Sequence, residues 1–354
     1  MKKTARFKII IIKEENNMKK LIAILLVGVM IISSLSGCTA KSEDKQKGAE
    51  VKTIETTKKS EKYKIGIVQP VEHPSLNEIR ESIILGLDEL GLKDKVEITY
   101  KDAQGDASNI NTIMSQFVGD KMDMIVPIAT GTAQSAAAAT KDIPIVFAAV
   151  SYPVEAGLVK ELNKTDGNIT GVSDAVGVKE IFDLAGVLTP NVKTFGFIYN
   201  TGEVNSVSAI NKAKEYCDSK GIKYVEATIT SSGELLQATQ SLVGKVDAIF
   251  TPTDNTVASA MPVLSAEAIK AKIPVYVGAD SLVKDGGFAT VGVDYKVLGK
   301  QVASMIKRII DGESISNNPV ETLSQYTKII NKKTAKELGI ELSDDMLKDF
   351  QIIE

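Results

Sequence analysis

Residues 128–136 read IATGTAQSA, just after the apolar run Met124–Ile125–Val126. A buried strand therefore ends in a corner of Gly, Ala and hydroxyl residues and enters an alanine-rich helix. Thr130, Gly131 and Thr132 would supply backbone N–H groups and two hydroxyls where a helix dipole favours an anion. The P-loop pattern G-x-x-x-x-G-K-S/T is absent, which argues against phosphate capture of that kind. A serine nucleophile would need a G-x-S-x-G elbow, also absent, and a base near it; the chain has a single histidine, His73. A seat for the carboxylate of a small ligand fits this corner best.

A second corner, TPTDNT at 251–256, places Asp254 and Asn255 where the first has Thr130 and Gly131. A zwitterion would bridge the two corners, its carboxylate on the first and its ammonium on Asp254. Asp254 reads equally well as the N-cap of the helix that follows. His73 lies in EHPSL, where the proline after it restricts the backbone and holds the imidazole in a defined direction. It reads as a hydrogen-bonding group lining a cleft, or as a solvated loop residue. With one histidine a metal site would need several carboxylates, and no metal-ligand spacing is visible. Asp280 and Asp294 have the same two readings as Asp254. Phe147, Tyr152 and Tyr199 flank the same loops and are candidates either to sandwich a flat side chain or to fill the core.

These corners need strands and helices behind them. From Tyr63 onward short apolar runs alternate with amphipathic segments of helix length. YKIGIVQ reads as a strand; Ser75–Leu76–Asn77–Glu78 reads as a capping box opening a helix with the stripe Leu76, Ile79, Ile83, Leu87 and Leu90, ended by Gly91. VEITYKDA is the next strand, and the rhythm implies parallel sheets covered by helices on both faces. The pattern is also written twice. KMDMIVPIATGTAQSA (121–136) aligns without a gap with KVDAIFTPTDNTVASA (245–260), DIPIVFAAV (142–150) with KIPVYVGAD (272–280), and KIGIVQP (64–70) with TFGFIYN (194–200). Two similar α/β lobes are expected, with ligand held outside the C-terminal ends of their strands. The first lobe would present Gln69–Ser75, Thr130–Gln134 and Val150–Pro153, including Ser151. The second would present Tyr199–Ser206, Thr253–Thr256 and Asp280–Ser281.

With 354 residues, 25% of them charged, and a net charge of −3, the chain can bury two cores and carries no broad basic field, so no nucleic acid is expected. Met18–Lys19–Lys20, the apolar stretch LIAILLVGVMIISSLS and then Gly37–Cys38 describe an export signal over 18–37. LSGC resembles the lipobox of bacterial lipoproteins, which implies lipid on Cys38. Residues 1–17 read as an upstream stretch, with translation starting at Met18. Residues 38–62, beginning at that cysteine, alternate charges with almost nothing apolar and read as a solvated tether. The other cysteine, Cys217, reads as a structural thiol in a helix ending at Gly221, so no disulfide framework is expected.

The lipobox, tether and doubled lobes, together with HPSL, NITGVSDAV (168–176), LTPNVKTFGFIYN (188–200), PTDNT and ATVGVDYKVLG (289–299), resemble the type I periplasmic-binding-protein superfamily. The likeness is strongest to the tryptophan/tyrosine-type substrate-binding lipoproteins of ABC importers. The resemblance implies a clamshell of two Rossmann-like lobes joined by three crossovers, residues 62–172 plus 281–313 forming one lobe and 173–280 plus 314–354 the other. It places His73, Ser75, Thr130, Gly131 and Thr132 on one side of the ligand, Asn205, Asp254 and Asn255 opposite, and Asp174 and Asp294 near the hinge. It implies an aromatic amino acid as ligand, an ABC permease and its ATPase as partners, no cofactor, a monomer lipid-anchored at the outer face of the cell membrane, and no enzymatic activity. A nucleoside or other small ring compound, or a sensor signalling to a membrane kinase, are the alternatives on the same fold. With no Trp in the chain, any residue stacking on the ligand must be Tyr, Phe or His.

Overall fold

A computed structural model describes residues 62–175, 177–323 and 326–354. The upstream stretch 1–17, the export signal 18–37, the lipidation site Cys38 and all but the end of the tether lie outside the described residues. Among the described residues no helix is long and apolar enough to cross a membrane.

The first sheet is built from β1 (Tyr63–Gln69), β2 (Val96–Asp102), β3 (Met124–Pro127), β4 (Ile145–Ala148) and β5 (Ile169–Ser173). Its helices are α1 (Pro74–Glu89), α2 (Ala107–Gly119) and α3 (Thr130–Ala139). The second sheet takes β6 (Thr194–Asn200), β7 (Lys223–Ile229), β8 (Ala248–Thr251), β9 (Val275–Val277) and β10 (Ala289–Gly292). It is joined by α4 (Val178–Leu188), α5 (Val204–Lys220), α6 (Leu235–Leu242), α7 (Asn255–Ala258), α8 (Met261–Lys270) and α9 (Asp280–Lys284). The chain then gives α10 (Tyr295–Ile310), β11 (Glu321–Thr322), β12 (Thr327–Asn331), α11 (Lys332–Leu338), α12 (Asp344–Leu347) and β13 (Phe350–Ile353).

The strand orders are β11-β5-β4-β3-β1-β2 and β13-β12-β10-β9-β8-β6-β7. With the late strands set aside, each lobe has the same order, and the sequence repeat is this shared topology. Asp123 and Asp247, matched in the repeat, do the same job. Each carboxylate stands before a central strand and accepts backbone N–H groups at the start of its neighbour: Lys64 at 2.7 Å in one lobe, Lys193 at 2.9 Å and Thr194 at 2.8 Å in the other. Ile65, Ile67 and Val126 are buried in the first lobe, Phe197, Ile249 and Phe250 in the second, as strands covered on both faces require.

The chain passes between lobes three times: after β5, after β10 and after β11. Two expected boundaries move. Residues 281–292, assigned to the first lobe from the sequence, belong to the second: β10 pairs parallel to β9 at Ala289–Tyr276 and antiparallel to β12 over four residues. Glu321–Thr322, assigned to the second lobe, pairs with Val172–Ser173 on the edge of the first sheet. α10 does lie in the first lobe, against α1, and the fit is close. A Cβ on Gly299 would stand 2.5 Å from Ser82 Cβ, and one on Gly86 would stand 2.7 Å from Ala303 Cβ.

The first helix also starts earlier than the expected capping box. Pro74 takes the first helical position, which suits its missing N–H, and His73 becomes the N-cap with no side-chain cap bond. Ser75 is thereby released from capping. Cys217 is fully buried on α5, where burial pushes its thiol up to about 12, and Gly221 ends that helix at φ 67°.

Candidate ligand-binding site

The C-terminal ends of the two sets of strands face one another across a cleft with about 390 Å³ of atom-free space. The lobes touch directly across it. His73 Nε2 meets Asn255 Oδ1 at 3.2 Å, the Thr253 hydroxyl meets Ser151 Oγ at 3.2 Å, and the hydroxyls of Ser75 and Ser281 meet each other. At the rim Lys212 lies 3.6 Å from Glu155 and 5.1 Å from the centre of the Tyr152 ring. This is a closed arrangement.

On the first-lobe wall, His73 and Ser75 come from the start of α1, Thr130 from the start of α3 and Ser151 from the loop after β4. Facing them, Asn205 comes from α5, and Asp254 and Asn255 from the start of α7. Asp174 lines the cavity at the first crossover. These eight of the sequence-derived candidates are thus brought together. Four others stand aside. Gly131 is exposed on a neighbouring groove. Thr132 is buried, but its hydroxyl donates to the carbonyls of Ile128 and Ala129, fastening α3 to the end of β3. Asp280 holds Lys284 at 2.7 Å, and Asp294 caps α10 through the Lys296 and Val297 N–H groups. The flanking aromatics also turn away: Phe147 is core, Tyr199 donates to Glu226 at 2.7 Å, and Tyr152 packs at the rim.

Other residues of the lining were not singled out from the sequence. Tyr295 on α10 is an aromatic wall, with Leu76 and Leu282 as apolar neighbours. Tyr295 sits in a helical apolar stripe and looks like any core residue at that spacing. Ala129 and Ala149, at the ends of β3 and β4, have φ of 77° and 55°, conformations that L residues with a Cβ rarely adopt. Strained backbone of this kind concentrates at ligand sites, and it leaves no mark in the sequence.

The electrostatics are one-sided. Asp174 is buried, accepts from the Ser151 hydroxyl at 2.8 Å and the Tyr295 hydroxyl at 3.2 Å, and burial pushes its carboxyl up. Asp254 is 1% exposed. Its Oδ1 accepts the Val257 N–H at 2.9 Å as N-cap of α7, and its Oδ2 accepts the Asn200 N–H at 2.7 Å. Burial first, then the nearby Glu203 charge, raise its pKa to about 7. Among the described residues no lysine or arginine lines this cavity. Burial pulls the His73 imidazole below its ordinary value, which favours the neutral ring. Two further polar atoms, His73 Nδ1 and Thr130 Oγ1, are buried with no hydrogen-bond partner among the described residues. The first N–H groups of α3 have no intrahelical acceptor, and they adjoin Thr130.

Two sheets of this order, crossed three times and closed on a polar cavity, are the type I periplasmic-binding-protein fold. The profile of the ABC transporter substrate binding protein family matches residues 64–351, and the chain belongs to that family. It is 40% identical over 333 residues, 93% of this chain and 95% of the relative, to the tyrosine-binding protein of Clostridioides difficile (strain R20291). Among solved structures, the ABC domain in complex with L-Trp from Streptococcus pneumonia is similar at 39% identity and a TM-score of 0.80, covering 83% of this chain and all 100% of that one. The ligand-free, open structure of a Clostridium difficile substrate binding protein with adhesive properties is 42% identical, with a TM-score of 0.64 over 82% of this chain and 99% of that one. At nearly equal identity the overlap is better with the ligand-bound structure, in keeping with the hydrogen bonds that close the cleft here.

Proposed function

We propose that this chain is the extracytoplasmic receptor of an ABC importer, tethered by lipid on Cys38, and that it captures an aromatic amino acid and hands it unchanged to the permease and its ATPase. One observation carries the ligand class: two buried carboxylates, Asp174 and Asp254, line a cavity to which no lysine or arginine among the described residues contributes. A buried charge without a partner is costly, so the ligand is the part that brings the positive charge. Its ammonium meets these carboxylates. Its own carboxylate takes the first-lobe corner, where Thr130 Oγ1 lacks a partner among the described residues and no side chain caps α3. Its ring lies among Leu76, Leu282 and Tyr295. The tyrosine named for one relative and the L-Trp bound in another support that choice of ring.

Closure then follows from binding. A ligand that touches both walls makes its full set of contacts only when the lobes meet, so it shifts the population toward the closed form. The permease reads that form. Thermal unfolding of the full-length protein in detergent, with each amino acid and several nucleosides in excess, tests the reading. A ligand at 100 times its dissociation constant adds about 2.7 kcal/mol. A rise confined to tyrosine, tryptophan and phenylalanine is the expected result; a rise with nucleosides alone sinks the ammonium argument.

A further inference from the structure

His73 has an arrangement that the zwitterion does not use. Glu203, at the start of α5, reaches across to α7 and accepts four hydrogen bonds. The Asn255 and Thr256 N–H groups donate at 3.0 and 2.9 Å, the Thr256 hydroxyl at 2.9 Å, and Asn255 Nδ2 at 2.7 Å. An ionised carboxylate only accepts, so the Asn255 amide must turn its NH2 to Glu203. Its Oδ1 is thereby aimed at His73 Nε2, 3.2 Å away in the other lobe. An amide oxygen cannot donate, so Nε2 carries the proton of this bond. In the neutral ring favoured by burial, Nδ1 is then a bare acceptor; it is buried with no donor among the described residues, on a residue that lines the cavity.

We propose that His73 sets ligand specificity by accepting, at Nδ1, a hydrogen bond from an O–H or N–H on the ligand's side chain, so that phenol and indole are preferred to phenyl. This rests on the aromatic amino-acid reading above. The ammonium is not the donor, because the ionised forms of Asp174 and Asp254 are far stronger partners for a cation than a neutral imidazole. Thr130 Oγ1, the other partnerless atom of the lining, does not discriminate in this way, since a hydroxyl can turn to donate or accept. A ligand with no side-chain donor leaves Nδ1 desolvated and unpaired, and sites built to pair a substrate OH or NH reject the analogue that lacks it.

The test is calorimetric titration of the full-length protein in detergent with L-tyrosine, L-phenylalanine, L-tryptophan and 1-methyl-L-tryptophan. The wild type is expected to favour tyrosine over phenylalanine, and tryptophan over its methylated form, by at least about tenfold. In His73→Ala both ratios should fall to within about twofold. His73→Asn, whose Oδ1 can stand near the place of Nδ1, should keep part of the preference. Neither change removes a cap bond from α1, so both variants should fold, and their melts check it. Ratios near one in the wild type, or unchanged ratios in His73→Ala, overturn the assignment and leave the amino-acid reading intact. Failure of the wild type to bind any of the four overturns that reading and this assignment with it.

Discussion

The Tyr295 hydroxyl donates to Asp174 Oδ2 at 3.2 Å, so a helix that re-enters the first lobe late in the chain grips the carboxylate at the first crossover. Ser151 holds the other oxygen at 2.8 Å. Asp174 is thus fixed, buried and given two neutral donors but no cation. Asp174→Asn should weaken amino-acid binding by the loss of a buried charge partner, about 2–5 kcal/mol or some 30- to 4,000-fold. The ligand-free protein should lose no stability, because an uncompensated buried charge is removed. Calorimetric titration and melting of the same preparation separate the two effects. Equal losses in both would mean that Asp174 serves the fold alone.

Asp254 makes a different forecast. Its carboxyl is raised from 3.8 to about 7, chiefly by burial. The folded chain therefore holds this proton more tightly than the unfolded chain, and stability falls as pH rises from about 4 to about 7. His73 acts oppositely: its pKa is lowered from 6.5, so the unfolded chain takes up the proton that the folded chain refuses, and stability falls on acidification below that value. The Asp254 effect is isolated by comparison with Asp254→Asn. The stability of the wild type relative to this variant should rise as pH falls from 8 to 5. A ligand ammonium favours the ionised carboxylate, so amino-acid binding at pH 6 should release a proton. Calorimetry in two buffers of different ionisation enthalpy reads that release directly, and proton uptake would contradict it.

Much of this arrangement is legible in the sequence, and the failures have physical causes. The repeat around KMDMIVPIATGTAQSA reports the sheet order because Asp123 and Asp247 and the apolar strands they precede perform the same task twice. The β10 boundary is not legible in the sequence because an apolar run such as ATVG suits either sheet, and only its pairing with β9 and β12 decides. Glu321–Thr322 is too short a strand to leave a pattern. Thr132 shows how far residue type can carry an argument: a hydroxyl at a cleft corner is a reasonable ligand contact until its rotamer turns it to Ile128 and Ala129. For Asp254 the two readings were never exclusive, since it lines the cavity and caps α7 at once.

Ala129 combines φ 77° with ψ 162°, a region nearly restricted to glycine, at the turn from β3 into α3. Ala129→Gly should relieve strain of about 1–3 kcal/mol, less about 0.5–1 kcal/mol for the greater freedom of the unfolded chain. The net expectation is a more stable protein. The methyl group also lines the cavity, so the same change should weaken ligand binding. Denaturant melts and a binding titration check the pair of effects, and a loss of stability would contradict the strain argument.

The Ser75 and Ser281 hydroxyls meet across the cleft from α1 and α9, both buried. They mark an edge that must part for ligand to enter. Replacing both with cysteine places two thiols within reach of a bond, and the remaining described cysteine, Cys217, is sealed inside α5 and cannot compete. The bridge would span 206 positions, a loop whose closure is worth up to about 5 kcal/mol against the unfolded chain. Oxidised after loading with labelled tyrosine, the Ser75→Cys/Ser281→Cys protein should hold its ligand and exchange it far more slowly than the reduced form. Oxidised while empty, it should exclude tyrosine until a reductant is added. Exchange at the same rate in both redox states would show that ligand enters without the two lobes parting along α1 and α9.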